Sequence, residues 1–299
     1  MLKKLVKTVF YDNRYNRRQQ KRKEEIVLKK ISLNLKKSLN YAFSITAGIN
    51  TFIGILGYTI KDISDSLEWW HCAIILIVLF ALLTFIIYDI LKRLKHKPYS
   101  TKINGIPVII KTGDIFEEAG LKVIPFNERF DTTVDDIIVA HNSLNGKMID
   151  HYVKDIDKLN NTIKLAENDN SPFFPTKNSN FLIYPLGRVI RFENFLLLAF
   201  SHFDKQNKAY IGIGEYEQLL IRMWSEIRRT YAATPIVIPL LGSGITTIDG
   251  ISSKNHTELL KCILCTLRKS GFQPNEGITI ILTPGTIEKI DMNLIKEEF

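Results

Sequence analysis

The chain has 299 residues, 45% of them hydrophobic and 24% charged, which excludes a wholly disordered, collagen-like or disulfide-stapled protein. Its net charge of +9 is unevenly spread: residues 1–102 carry 19 Lys+Arg against 7 Asp+Glu, and residues 103–299 carry 21 against 24. A basic arm and its flanks therefore precede a mildly acidic body. Three cysteines, Cys72, Cys262 and Cys265, give no pairing framework. Cys262 and Cys265 lack the second Cys/His pair of a zinc site and read as core, so no metal is expected.

Residues 1–37 hold 13 Lys+Arg and three acids, six of the basic residues falling between Tyr11 and Lys23. Such an arm suits nucleic acid or a cytoplasmic membrane flank, and two long apolar runs directly after it decide for the flank. Leu39 to Ile60 is 22 residues without a charge, and Trp69 to Tyr88 is 20 more. Each is long enough to cross a bilayer core of ~30 Å at ~1.5 Å per residue. With the polar loop 61–68 between them they form a transmembrane hairpin, residues 38–92. In the first span, Gly48, Gly54, Gly57 and Ser44 suit close helix packing in lipid. Lys/Arg bias at the span ends places both termini in the cytoplasm of a multi-pass protein of the inner (plasma) membrane. Membrane lipid is then the expected contact of the basic flanks, and nucleic acid is not an expected partner.

Residues 93–104 read as a linker and 105–299 as a soluble domain. Ile106 to Lys111 and Leu121 to Phe126 are strand-like. Ser143 to Glu167 has apolar residues at helical spacing, from Met148 to Ile163. Residues 168–180 read as a loop. Phe181 to Tyr184, Arg188 to Phe192 and Phe195 to Ser201 follow as strands. Glu215 to Tyr231 is an amphipathic helix, Pro235 to Leu240 a strand, Asn255 to Gly271 a helix stopped by glycine. Gly277 to Leu282 is a strand, and Thr286 to Glu298 a last helix. The alternation gives the α/β class, a sandwich with a mixed, mostly parallel sheet.

Three loops carry groups fit for a ligand. Gly113-Asp114-Ile115 puts a carboxylate after a strand, where it can accept from an exocyclic amine, or simply cap a turn. Asn127 to Thr132 follows the next strand and includes Asp131. Ser143-Leu144-Asn145-Gly146 opens a helix, where unpaired N–H groups suit phosphate, or where Ser143 merely caps. Gly242-Ser243-Gly244-Ile245-Thr246 follows the strand Pro235 to Leu240. Its glycines let the backbone approach an anion, or make a tight turn. It is neither a Walker A loop nor a dinucleotide fingerprint.

Taken in order, these motifs resemble the macro domain, an ADP-ribose-binding module, over about Ile106 to Phe299. The resemblance implies a three-layer α/β/α domain with a mixed sheet behind the two-helix hairpin. It gives Asp114 the adenine amine, with Ile115 beside it. It gives the diphosphate to Gly242, Ser243, Gly244, Ile245 and Thr246, and the opposite side and distal ribose to Asn127, Asp131, Ser143, Asn145 and Gly146. The Asn-Ala-Ala-Asn and Gly-Gly-Gly sequences of hydrolytic macro domains are absent, so binding without catalysis is expected, and no resident cofactor. A membrane-tethered ADP-ribosyl hydrolase, with candidates Asn127, Asp131, His141 and Asn142, is the alternative.

Combined with the hairpin, the Phe126 to Thr132 and Ser143 to Gly146 stretches resemble the macro-domain membrane effector of the bacterial type II Thoeris antiphage system. That implies a TIR-domain partner that consumes NAD and acts through a diffusible ADP-ribose-derived signal. It also implies homo-oligomerisation on binding, and membrane disruption ending in abortive infection.

Overall fold

The computed structural model of the protein describes residues 35–51, 69–95, 97–178, 181–204, 206–230, 233–249 and 255–299. The chain divides into two units, Met1–Lys95 and His96–Phe299.

In the first unit, residues 35–51 are helical (α1). The Thr46 and Thr51 hydroxyls donate to the carbonyls four residues back, Ala42 and Ala47, at 2.8 and 2.9 Å, which satisfies them without leaving the helix. The second helix, α2 (Trp69–Lys95), runs seven residues past Tyr88. Its last turns carry an Asp89–Arg93 pair at 2.7 Å. Ile74–Leu91 has a mean hydropathy of 2.9 and is long and apolar enough to cross a membrane. Six consecutive side chains, Ile74 to Leu79, are exposed, so every face of that stretch is apolar and uncovered. A water-facing helix would carry a polar stripe there. The basic arm up to residue 34, the end of the first expected span and the loop 61–68 lie outside the described residues.

The second unit begins with β1 (Tyr99–Ile103) and β2 (Ile106–Thr112). A 3₁₀ turn (Ile115–Glu117), β3 (Leu121–Asn127), α3 (Leu144–Tyr152) and α4 (Ile156–Leu165) follow. Then come β4 (Thr176–Asn178), β5 (Phe181–Ile183), β6 (Val189–Phe192), β7 (Phe195–Phe203), β8 (Ala209–Gly212) and α5 (Ile213–Thr230). The chain ends with β9 (Ile236–Pro239), β10 (Thr247–Asp249), α6 (His256–Ser270), β11 (Ile278–Leu282), α7 (Pro284–Ile287) and α8 (Met292–Glu298). The main sheet has the order β1-β2-β11-β9-β3-β7-β8-β10, with β6 also on β7; β4 and β5 pair apart from it. Pairs along β2-β11-β9-β3-β7 are parallel, and β1, β6 and the tip of β7 with β8 add antiparallel ones. The sheet is mixed.

Period-two alternation sends the two halves of each strand to opposite cores. Val123, Leu196, Leu198, Ile238 and Ile280 join Trp224 of α5 and Leu260 of α6 on one face. Ile124, Phe126, Leu197, Val237 and Ile281 join Met148 of α3 and Leu159 of α4 on the other. Strands apolar on both sides belong to a sheet covered on both sides, so the unit is a three-layer α/β/α sandwich.

Four local features depart from the sequence reading. The linker stretch contains β1, whose Tyr99–Ile103 pairs antiparallel with Ile106–Ile110. The expected helix 143–167 breaks in two, because the Asp155 carboxylate caps α4 by accepting from Lys158 N at 3.0 Å. Asp291 divides the last helix in the same way, accepting from Asn293 N. The strands β4, β8 and β10, of 3, 4 and 3 residues, are too short to show a period.

A buried ionic knot joins the two helix layers. Arg188, fully buried, donates through Nη1 to the Val189 carbonyl (2.7 Å) and to Glu226 of α5, and through Nη2 to the Ala166 carbonyl (3.2 Å) and Asp169. Arg229 closes it with Glu226 at 3.1 Å and Asp169 at 3.3 Å, and the Ser171 hydroxyl donates to Glu226 at 3.0 Å. Burial pushes the Asp169 carboxyl up, but the Arg188 and Ser171 bonds and the Arg229 charge outweigh it and hold it low. Glu226→Leu removes one of the two carboxylates that neutralise the buried guanidinium and should cost about 3–5 kcal/mol in guanidinium unfolding of the full chain in detergent. Arg188→Met with Glu226→Leu should recover most of that loss; a double variant no better than the single one would refute the account.

Candidate functional site

Parallel pairing puts the C-terminal ends of β2, β11, β9, β3 and β7 at one edge of the sheet. There the seam between β9 and β3 opens. Only Leu121↔Ile236 and Lys122↔Val237 pair them. Beyond that point β9 stays with β11 to Pro239, and β3 stays with β7 to Asn127. A crevice at the carboxyl ends of parallel strands is where open α/β sheets take ligands.

One wall is the Gly-rich turn after β9. Gly242 has φ +81°, a conformation that costs glycine nothing and other residues much. A Cβ there would only reach van der Waals contact with Tyr216, Ile248 and Leu259, at 3.4–3.5 Å, so the backbone conformation is what demands glycine. Ser243 closes the turn, its N–H and hydroxyl both donating to the Leu240 carbonyl, at 3.2 and 2.6 Å. Tyr216, buried in α5, donates its hydroxyl to the Leu241 carbonyl at 2.9 Å. At Gly244 an added Cβ would meet nothing within 4 Å. Ile245 is 79% exposed, and Thr246 is half-buried.

Asp114 lies at the end of β2, exposed. Its Oδ1 accepts from Phe116 N at 3.0 Å and caps the 3₁₀ turn, and Gly113 N donates to the Leu282 carbonyl of β11 at 3.1 Å. The Ile115 side chain is buried with Ile124, Phe126 and Val237, so only its backbone is left to meet a ligand.

The other wall is the loop after β3. Asn127 is buried; its Oδ1 accepts from the Arg129 and Asp131 N–H groups (3.0 and 3.1 Å), and its Nδ2 donates to Asp131 Oδ2 at 2.8 Å. Asn127 and Asp131 thus hold each other. Ser143 caps α3 by accepting from Gly146 N at 3.1 Å, and its Oγ lies 2.5 Å from both the Ala140 carbonyl and Asn145 Oδ1. Gly146 is forced by space: a Cβ would sit 2.2 Å from the Ala140 carbonyl oxygen.

The structure adds residues that the sequence did not single out. Glu128, next to Asn127 and buried, meets His202 Nδ1, and His202 Nε2 lies 3.2 Å from Glu215 Oε1 at the start of α5. Gly212 N donates to the other Glu215 oxygen at 2.9 Å. Residue 128 is 74 positions from His202, so no spacing rule could join them. Cys262 is partly buried, and burial pushes its thiol up to about 11, as for a core thiol.

A family model described as the macro domain of Thoeris protein ThsA matches residues 108–283. A Thoeris protein ThsA from Bacillus amyloliquefaciens (strain Y2) is 35% identical over 274 residues, spanning 87% of this chain and 88% of that one. Among solved structures, an Oceanobacillus iheyensis macrodomain with ADP covers 68% of this chain and 98% of its own at 13% identity, TM-score 0.43. The same macrodomain with MES bound covers 68% and 99% at 13% identity, TM-score 0.43.

The tight seat of Gly146 makes a direct test. Gly146→Ala should overpack the start of α3 at a cost of about 1–3 kcal/mol. The melting temperature should then fall by about 3–10 °C. An unchanged melting temperature would mean that α3 is not seated on the Ala140 carbonyl.

Proposed function

The chain belongs to the Thoeris ThsA macro-domain family, and from that premise we propose that it is the membrane effector of the system. In this reading the macro domain faces the cytoplasm and binds an ADP-ribose-derived signal. A TIR-domain partner makes that signal from NAD, and binding drives homo-oligomerisation and disruption of the membrane, aborting the infection.

The observation that carries the reading is the seam between β9 and β3, flanked by Asp114 and by the turn at Gly242, Ser243 and Gly244. The carboxylate suits the adenine amine. The glycines suit a diphosphate, since nothing but backbone need stand between it and the turn. The apolar α2 and the basic flanks of the sequence support a membrane location with both termini cytoplasmic. Ligand can drive assembly only by binding the assembled state more tightly.

Binding without turnover is supported by the absence of the hydrolytic sequences and by the bonding of Asn127 and Asp131. Hydrolysis of an ADP-ribosyl bond needs a base free to take a proton from water, whereas Asn127 and Asp131 are engaged with each other and with their own loop.

The test is calorimetry of the full chain in detergent with ADP-ribose. Asp114→Ala should weaken binding at least about tenfold, the worth of one bond to a charged group. Gly244→Ala should weaken it comparably while leaving the melting temperature unchanged, because the turn has room for the added methyl. No binding by the parent protein, or full binding by both variants, would sink the reading.

A further inference from the structure

Glu128 and Glu215, the two carboxylates that meet His202, each stand next to a residue that shapes one wall of the cleft. Glu128 adjoins Asn127, whose side chain organises the loop after β3. Its own backbone is fixed as well: its N–H donates to the Ser201 carbonyl at 2.8 Å, and its carbonyl accepts from Tyr184 N at 2.8 Å. Glu215 adjoins Tyr216, whose hydroxyl holds the Leu241 carbonyl at the root of the Gly-rich turn. His202 sits on β7 between them, with Nδ1 on Glu128 and Nε2 on Glu215. Both ring nitrogens face carboxylate oxygens, an arrangement that only the doubly protonated imidazolium satisfies on both sides.

We propose that His202 is a positioning residue that clips the two walls of the cleft together through Glu128 and Glu215, and that ADP-ribose binding requires its charged form. The inference rests on the ADP-ribose reading of the cleft. The clip reaches the Gly-rich turn by a second route: β8, paired with His202 through Tyr210, is paired in turn with β10, which leaves that turn directly.

The groups facing His202 are Glu128 from the end of β3, Glu215 from α5, and the Tyr210 ring of β8 at 5.4 Å between centroids. Arg222, further along α5, acts on Glu215. The bond to Glu128 raises the His202 pKa, against the pull of burial. Burial pushes Glu215 up, but the Gly212 N–H and His202 outweigh it and bring it below its ordinary value. A raised histidine keeps its interaction below its ordinary pKa and loses it as pH rises through the raised one; a lowered carboxylate loses its interaction as pH falls through the lowered one. The clip therefore holds between the two, and alkaline pH releases it. The phosphates of ADP-ribose keep constant charge over that range.

The experiment is calorimetry of the full chain in detergent with ADP-ribose from about pH 6 to pH 9, around the ordinary histidine pKa. Affinity should fall about tenfold or more across that range, the worth of one charge-assisted bond. His202→Gln should bind with nearly the weak, high-pH affinity of the parent throughout, with no pH dependence. Glu215→Gln, which keeps an acceptor without the charge, should shrink the pH effect. A flat profile for the parent overturns the proposal, as does a His202→Gln variant that still titrates or one weakened equally at every pH. Absence of ADP-ribose binding at all pH values overturns the site reading and this proposal with it.

Discussion

The buried Arg188 sets the frame on which the rest of the second unit hangs. Its guanidinium takes Glu226 from the helix layer on one face, and Asp169 and the Ala166 carbonyl from the layer on the other. A charge with no exposed surface is costly unless it is paired and hydrogen-bonded; here both terminal nitrogens are bonded, while Nε has no partner among the described residues. The knot therefore ties α5 to the loop after α4 through directional bonds. Seating α5 also fixes Glu215 and Tyr216 at its first turn, and through Tyr216 the root of the Gly-rich turn. The ionic knot thus reaches the cleft along the length of α5.

The cleft comes from register more than from any special residue. β3 and β9 pair over two positions and then follow different neighbours. Twist separates them further toward their carboxyl ends. The residues at the rim are bound into the protein's own structure: Asp114 caps the 3₁₀ turn, Asn127 organises its loop, Ser143 caps α3. In the proposed reading such groups hold their places before a ligand arrives, which limits the ordering cost of binding.

The alternation of strand and helix was legible in the sequence because β2, β3, β7, β9 and β11 are apolar on both faces and stand out as continuous runs. α5 and α6 were legible through their single apolar stripe and, for α6, through Asn255 and Gly271 at its ends. β1 was missed because YSTKI has one buried residue, Ile103, and looks like a polar connection. The break between α3 and α4 was missed because Asp155 works as a cap, which the apolar spacing across it hides. Of the rim, the Asp114 and Gly242 turns showed themselves as Gly-containing ends of apolar runs. The contacts of Glu128, His202 and Glu215 did not, since each side chain is an ordinary polar residue until the fold brings the three together.

The glycines of this unit answer to different masters. Gly146 is fixed by a carbonyl 2.2 Å from where a methyl would go, and Gly242 by its left-handed backbone. Gly244 has open space around it and no such backbone. Selection for a folded protein guards the first two in any descendant, whatever it binds. In the proposed reading, selection for an occupied cleft guards the third. A lineage released from its ligand would keep Gly146 and Gly242 and let position 244 drift, so that single position would date the loss.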